Sequence, residues 1–192
     1  MSPSLPTTIF LDRDGVINEK VPEGDYVKSW SEFQFLPGAL KAIRTLAAIV
    51  PRLIVVSNQR GIALGMMSEQ DLSGIHENML REIQQAGGRI DAIYHCPHEK
   101  QSCDCRKPGT GLFVKARQEF PEIDFKRAVV VGDSLADLDA ASRLSCMSVL
   151  LTTRTDWRDI LKVARRRSSP DPKVVPSLLA FSRSLTEDPL IR

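Results

Sequence analysis

Short apolar runs alternate along this chain with longer stretches whose apolar residues recur every three to four positions. Thr7–Leu11 (TTIFL), Arg52–Val56 (RLIVV), Ile90–Tyr94, Ala128–Val131 (AVVV) and Ser148–Leu151 (SVLL) have the length and apolar character of buried strands. Gly38–Val50 carries apolar residues at helical spacing, and Pro51 stops it. Ser68 is placed to cap a long helix that runs to Ala86, where Gly87-Gly88 ends it. Thr110–Phe120 and Ser134–Leu144 read as further helices, and another is expected from about Asp156 to Arg167. Ser168–Lys173 (SSPDPK) reads as a turn-rich linker to a short C-terminal segment that packs on the domain. Strands and helices alternating in this way predict an α/β fold: a parallel sheet with helices on both faces.

In such a sheet, chemistry gathers at the carboxyl ends of the strands. The polar residues that follow the predicted strands are Asp12-Arg13-Asp14, Ser57-Asn58-Gln59, the region of Cys96, and Gly132-Asp133-Ser134. Each set can bind phosphate or metal. In FLDRDGVIN, two carboxylates two residues apart suit paired work, one attacking phosphorus and one managing a proton. Taken alone, that segment could also be a solvated turn. In VVSNQRG, the Ser57 hydroxyl and Asn58 amide can donate to phosphate oxygens, or can simply build a turn. In CRKP, Lys107 offers a compact charge and Arg106 a planar, two-pronged one, although a lone Arg-Lys pair is usually a solvated surface. In VVVGDSLADLDAA, Asp133 is placed to bind magnesium or to cap the helix, and Asp137, one turn on, could orient Ser134 or Lys107.

The order and placement of these sets resemble the haloacid dehalogenase superfamily of phosphatases, from Ile9 to about Thr152. The resemblance implies a Rossmann-like sheet and a phospho-aspartate at Asp12, with Asp14 as general acid and then base. It also implies that Ser57 and Lys107 hold the phosphoryl group. Magnesium would be bound by Asp12, Asp133 and the backbone carbonyl of Asp14. Arg13, Asn58, Gln59, Arg60 and Arg106 are the expected substrate contacts. A carboxylate next to Asp14 is expected to raise its pKa. There is little room for a large cap domain between Gly15 and Val56 or between Asn58 and Arg106, so the site is expected to be covered by loops only.

Four cysteines are present, and three of them fall with a histidine in Cys96-Pro97-His98 and Cys103-Asp104-Cys105. Three thiolates and one imidazole at this spacing make a closed, structural zinc site rather than a catalytic one. His95 and His76 read as ordinary neighbours, and Cys146 as a small core residue. The zinc loop followed by CRKP resembles the branch of the superfamily that holds heptose-1,7-bisphosphate 7-phosphatases and histidinol-phosphate phosphatases. The segments DRDGVIN, GDYV, FLPG and SNQRGIALG lean toward the heptose enzymes. The implied substrate is a phosphorylated sugar, with histidinol phosphate as the alternative.

Composition narrows the rest. At 192 residues the chain is long enough for one well-filled domain, expected to span 1–192 with the zinc loop at 96–105. A formal net charge of +2 and the lack of an aromatic-basic stripe argue against nucleic acid as partner. No stretch approaches the roughly 20 apolar residues of a membrane span, and the N-terminus lacks a signal-peptide pattern, so a cytoplasmic monomer is expected. A zinc-ordered binding module without catalysis is the reading of another class. The intact Asp12, Asp14, Lys107 and Asp133 count against it.

Overall fold

The computed structural model describes residues 5–22, 24–153, 162 and 171–186. Its elements run β1 (Thr8–Leu11), α1 (Ala39–Ile49), β2 (Arg52–Asn58), α2 (Glu69–Gln85), β3 (Ala92–Cys96), α3 (Gly111–Glu119), β4 (Ala128–Gly132), α4 (Leu135–Leu144), β5 (Met147–Leu151), β6 (Lys173–Val175) and α5 (Leu178–Thr186). The six strands form one sheet in the order β3-β2-β1-β4-β5-β6, and every pairing is parallel. The helix expected over 156–167 falls almost wholly outside the described residues.

Alternation along β1 divides the core. Ile9 and Leu11 point to one face, where they join Ile43 and Leu46 of α1, Ile75 and Met79 of α2, and Phe181 of α5. Phe10 points to the other and meets Phe113 of α3 edge-on, ring centres 5.0 Å apart, among Ala116, Ala140 and Ala141. Both faces are dry, which is why the strands read as continuous apolar runs. Ser68 caps α2 as expected: its hydroxyl accepts from the Asp71 N–H at 3.1 Å, and Asp71 returns the contact.

Two strand positions differ from the sequence reading. β3 lies two residues later than expected, because the Asp91 side chain accepts from the Leu53 N–H at 2.7 Å and occupies that ladder position. β6 sits where the linker was expected to end. Three residues after a proline carry too little pattern to be read as a strand, yet Val174 and Val175 pair with Leu150 and Leu151.

β1 is central, with β2 and β3 laid down on one side and β4 to β6 on the other. The direction of winding therefore reverses beside β1, and a crevice opens at the carboxyl ends there. Between β1 and α1 the described chain carries only a short 3-10 turn, Trp30–Glu32, so loops alone cover the crevice. Among the described residues, no helix is long and apolar enough to cross a membrane.

Candidate active site

Asp12 leaves β1 with its N–H donating to Val131 of β4 at 2.9 Å, which ties it to the reversal point. The chain must then turn at once. Gly15 does so at φ +86°, and a Cβ there would lie 2.3 Å from Asp133 Oδ2. A side chain at residue 15 is thus excluded both by the backbone and by the second acid. Gly132 at the end of β4 is constrained by contact alone, since its Cβ would lie 2.2 Å from the Asp137 carboxyl carbon.

Lys107 is only 4% exposed. Its ammonium donates to the Val56 carbonyl at 2.7 Å and is ion-paired with Asp12 Oδ1 at 2.9 Å and Asp137 Oδ1 at 2.7 Å. Burial opposes its charge, but the two carboxylates outweigh burial and hold its pKa above the ordinary lysine value. Asn58, the last residue of β2, clamps the same loop. It donates to the Lys107 carbonyl at 3.1 Å and accepts from the Lys107 N–H at 3.0 Å. Asn58 thus supports the backbone of the lysine loop while also lining the cavity.

Asp14 also differs from expectation. Burial raises its pKa, but the Arg13 charge and hydrogen bonds from Asn18 (2.9 Å), Arg13 (2.9 Å) and Gln59 (2.8 Å) hold it below the ordinary carboxylate value. The raised acid is Asp12. Burial and the neighbouring Asp137 and Asp133 push it up to about 7 against the pull of Lys107. Arg13 and Gln59 were expected to touch substrate, but both are 0% exposed. They lie behind Asp14 instead, with Gln59 also donating to Ser57 Oγ at 2.7 Å.

Asp133, opposite Asp12, is raised by burial, partly offset by Lys20, whose ammonium lies 2.8 Å from Oδ2. Asp133 Oδ1 is buried with no hydrogen-bond partner among the described residues, and carboxylate oxygens of Asp12, Asp133 and Asp137 lie within 4.8 Å of one another. Crowded acids with an unpartnered oxygen are what a hard divalent cation relieves, so the residues present fit magnesium.

Above these groups opens a cavity of about 990 Å³, lined by Asp12, Asp14, Ser57, Asp133, Lys20, Arg60, Lys100 and Arg106 among others. Nη1 of Arg106 is buried with no partner among the described residues, and Arg60 is ion-paired with Glu99 on the rim. Beside the cavity, the sulfurs of Cys96, Cys103 and Cys105 converge, 3.2–3.5 Å apart. His98 Nδ1 lies 3.6 Å from Cys96 Sγ and 3.2 Å from Cys105 Sγ. These four atoms mark the corners of a small tetrahedron, a donor set that suits a zinc ion. The Cys103 thiol is held down to about 6: burial opposes ionisation, but hydrogen bonds from Cys105, the Arg106 N–H and Cys96 outweigh it.

Lys20 was not singled out from sequence, and a lone lysine in a loop gives no signal. His76 was read as ordinary, although its place on the apolar stripe Leu72, Ile75, Met79, Ile83 marks it as buried. It contacts Arg13.

A HAD-hydrolase-like family profile matches residues 104–181. The chain belongs to this haloacid dehalogenase-like family of hydrolases. Several of its members are similar to this chain over most of their length. The D-glycero-alpha-D-manno-heptose-1,7-bisphosphate 7-phosphatase of Mycobacterium tuberculosis is 43% identical over 147 residues, covering 73% of this chain and 77% of that protein. The D-glycero-beta-D-manno-heptose-1,7-bisphosphate 7-phosphatase of Bordetella bronchiseptica is 39% identical over 146 residues, covering 76% and 80%. The crystal structure of the D,D-heptose 1,7-bisphosphate phosphatase from B. bronchiseptica, complexed with magnesium and phosphate, matches with a TM-score of 0.83 at 35% identity, over 95% of this chain and 99% of that one.

Proposed function

We propose that this chain is a magnesium-dependent phosphatase that removes the C7 phosphate of D-glycero-D-manno-heptose 1,7-bisphosphate. The observation that carries this reading is the presence, around one cavity, of a Lys107-held Asp12 and of Arg106, whose Nη1 has no hydrogen-bond partner among the described residues. One anion is served at the floor and a second at the wall. The relatives at 39–43% identity that bear the heptose bisphosphate name support the same substrate.

Asp12, Asp133 and the Asp14 carbonyl would hold magnesium, which would supply positive charge to the phosphoryl oxygens and relieve the crowded acids. The Asp12 carboxylate attacks phosphorus and the bond from phosphorus to the C7 oxygen breaks. The leaving oxygen takes its proton from Asp14. Water then gives a proton to Asp14 and attacks phosphorus, releasing Asp12 and inorganic phosphate. Asp14 starts with a depressed pKa, and the arriving phosphate dianion raises it by like-charge repulsion at the moment a proton is needed. Ser57 and Lys107 hold the phosphoryl group, and Arg106, helped by Arg60, faces the C1 phosphate.

We assign one structural zinc per chain to Cys96, His98, Cys103 and Cys105. Cytoplasmic conditions would keep these thiols reduced. The whole activity rests on one domain.

The test is phosphate release from the heptose bisphosphate and from histidinol phosphate, side by side, with and without magnesium. Loss of the C7 phosphate alone, with retention of the C1 phosphate by phosphorus NMR, is expected. Preference for histidinol phosphate would overturn the substrate, and turnover unaffected by magnesium would overturn the mechanism.

A further inference from the structure

His76 lies on the buried face of α2, 9% exposed, and is absent from the lining of the large cavity. Its Nε2 is 3.4 Å from Arg13 Nη1. A guanidinium only donates, so Nε2 accepts and the ring proton sits on Nδ1. Nη2 of the same guanidinium donates to Asp14 Oδ1 at 2.9 Å and lies 3.3 Å from Gln59 Oε1. Three acceptors of different kinds, a carboxylate, an amide and an imidazole, therefore fix the plane of a charge that has no exposed surface. The carboxylate is the one that must later pick up and release a proton.

Burial, with the Arg13 charge and His95, pushes the His76 pKa down to about 3, so its acceptor nitrogen stays free near neutral pH. On its far side the His95 ring lies 6.0 Å away, and His95 Nε2 is 2.8 Å from Glu69 Oε2. A second cavity of about 490 Å³ opens there. His76 is thus the residue through which α2 reaches the back of Asp14.

We propose that His76 is a positioning residue for Asp14: by accepting from Arg13 it holds the guanidinium in the one orientation that aims the Asp14 carboxyl at the leaving oxygen. The inference rests on Asp14 acting as the general acid of the proposed phosphatase. A residue that only fills the core would affect all substrates alike. A residue that aims the acid matters most where the leaving group needs a proton. An alkyl ester of phosphate needs it. A p-nitrophenyl ester, whose leaving phenolate is stable, needs it far less.

The experiment compares kcat/KM for the heptose bisphosphate and for p-nitrophenyl phosphate, because kcat/KM covers only the steps up to the first P–O cleavage. His76→Leu keeps the volume and removes the acceptor. It is expected to lower kcat/KM for the sugar ester by about tenfold or more while changing the p-nitrophenyl ester much less, with the loss in kcat rather than KM. His76→Gln, which keeps an acceptor oxygen, is expected to recover most of the difference. Arg13→Lys keeps the buried charge but cannot span Asp14 and His76 together, and it should reproduce the selective loss if His76→Leu does not fold. Equal losses on both esters, or no recovery with His76→Gln, overturn the proposal. Asp14→Asn separates the two readings: if it discriminates between the esters and the His76 variants do not, only this inference fails. If Asp14→Asn does not discriminate, the acid role of Asp14 fails with it.

Discussion

At the scale of single residues, the site is decided by what each polar atom has left to offer. Lys107 is anchored at the floor of the site by the Val56 carbonyl and by ion pairs with Asp12 and Asp137, which fixes its charge beside Asp12. Arg106 has a buried nitrogen with no partner among the described residues, and losing one charge-assisted contact costs about 1.5–3 kcal/mol. Arg106→Ala is therefore expected to lower kcat/KM for a sugar bisphosphate by about ten- to a hundredfold while sparing a simple monophosphate. Equal effects on the two substrates would remove Arg106 from the second-phosphate site. Gly15 makes a different kind of prediction. An added methyl meets Asp133 at 2.3 Å on a backbone already at φ +86°, so Gly15→Ala must push Asp133 out of place. The magnesium concentration for half-maximal activity should rise by about ten- to a hundredfold, as when the support of a metal ligand is lost. An unchanged magnesium titration would count against Asp133 as a ligand.

At the scale of elements, the loop between β3 and α3 is held from two sides. Asn58 clamps the Lys107 backbone onto the end of β2, and the cysteine-histidine cluster closes the loop immediately before Arg106 and Lys107. The segment has no regular structure to fix it from within, so these anchors do that work. Cys103→Ser should lower zinc content below one per chain, lower Tm, and weaken turnover through a displaced Lys107. Protein that contains no zinc when purified without chelators would refute the structural zinc. The same loop shows why legibility was uneven. The convergence of its three cysteines and one histidine was readable because thiols and an imidazole at close sequence spacing suit a single metal ion. The strand ends were readable because a parallel sheet places polar residues after apolar runs. The support behind Asp14 was not readable as such. Arg13 and Gln59 stand in sequence among residues that line the cavity, and only the fold shows that their side chains turn inward. β6 escaped for the opposite reason: three residues carry no period, and only the neighbouring strand makes them a strand.

At the scale of the whole molecule, burying so many ionisable groups at one end of a sheet ties stability to pH. His76 gives the clearest sign. The groups facing it are Arg13 and Asp14 from the turn after β1, His95 from β3 and, beyond His95, Glu69 at the start of α2. Burial first, then the charge of Arg13 and the presence of His95, lower its folded pKa from 6.5 to about 3, and Asp14 opposes this only in part. Below pH 6.5 the unfolded chain therefore takes up a proton that the folded chain refuses. The unfolded state binds more protons there, so stability must fall as pH falls, by up to about 1.4 kcal/mol per pH unit from this residue alone. The fall continues down to about pH 3, where the folded ring also protonates. Gln at this position carries no titrating group but keeps an acceptor for Arg13. In urea unfolding, wild type and His76→Gln should differ by an amount that shifts in favour of the variant as pH is lowered from 7.5 to 5, and that is constant above about pH 7.5. A difference that does not change with pH would mean that His76 titrates in the folded chain much as it does in the unfolded one. The buried contact with Arg13 would then be open to water, and α2 would not be fastened to the active-site turn through this pair.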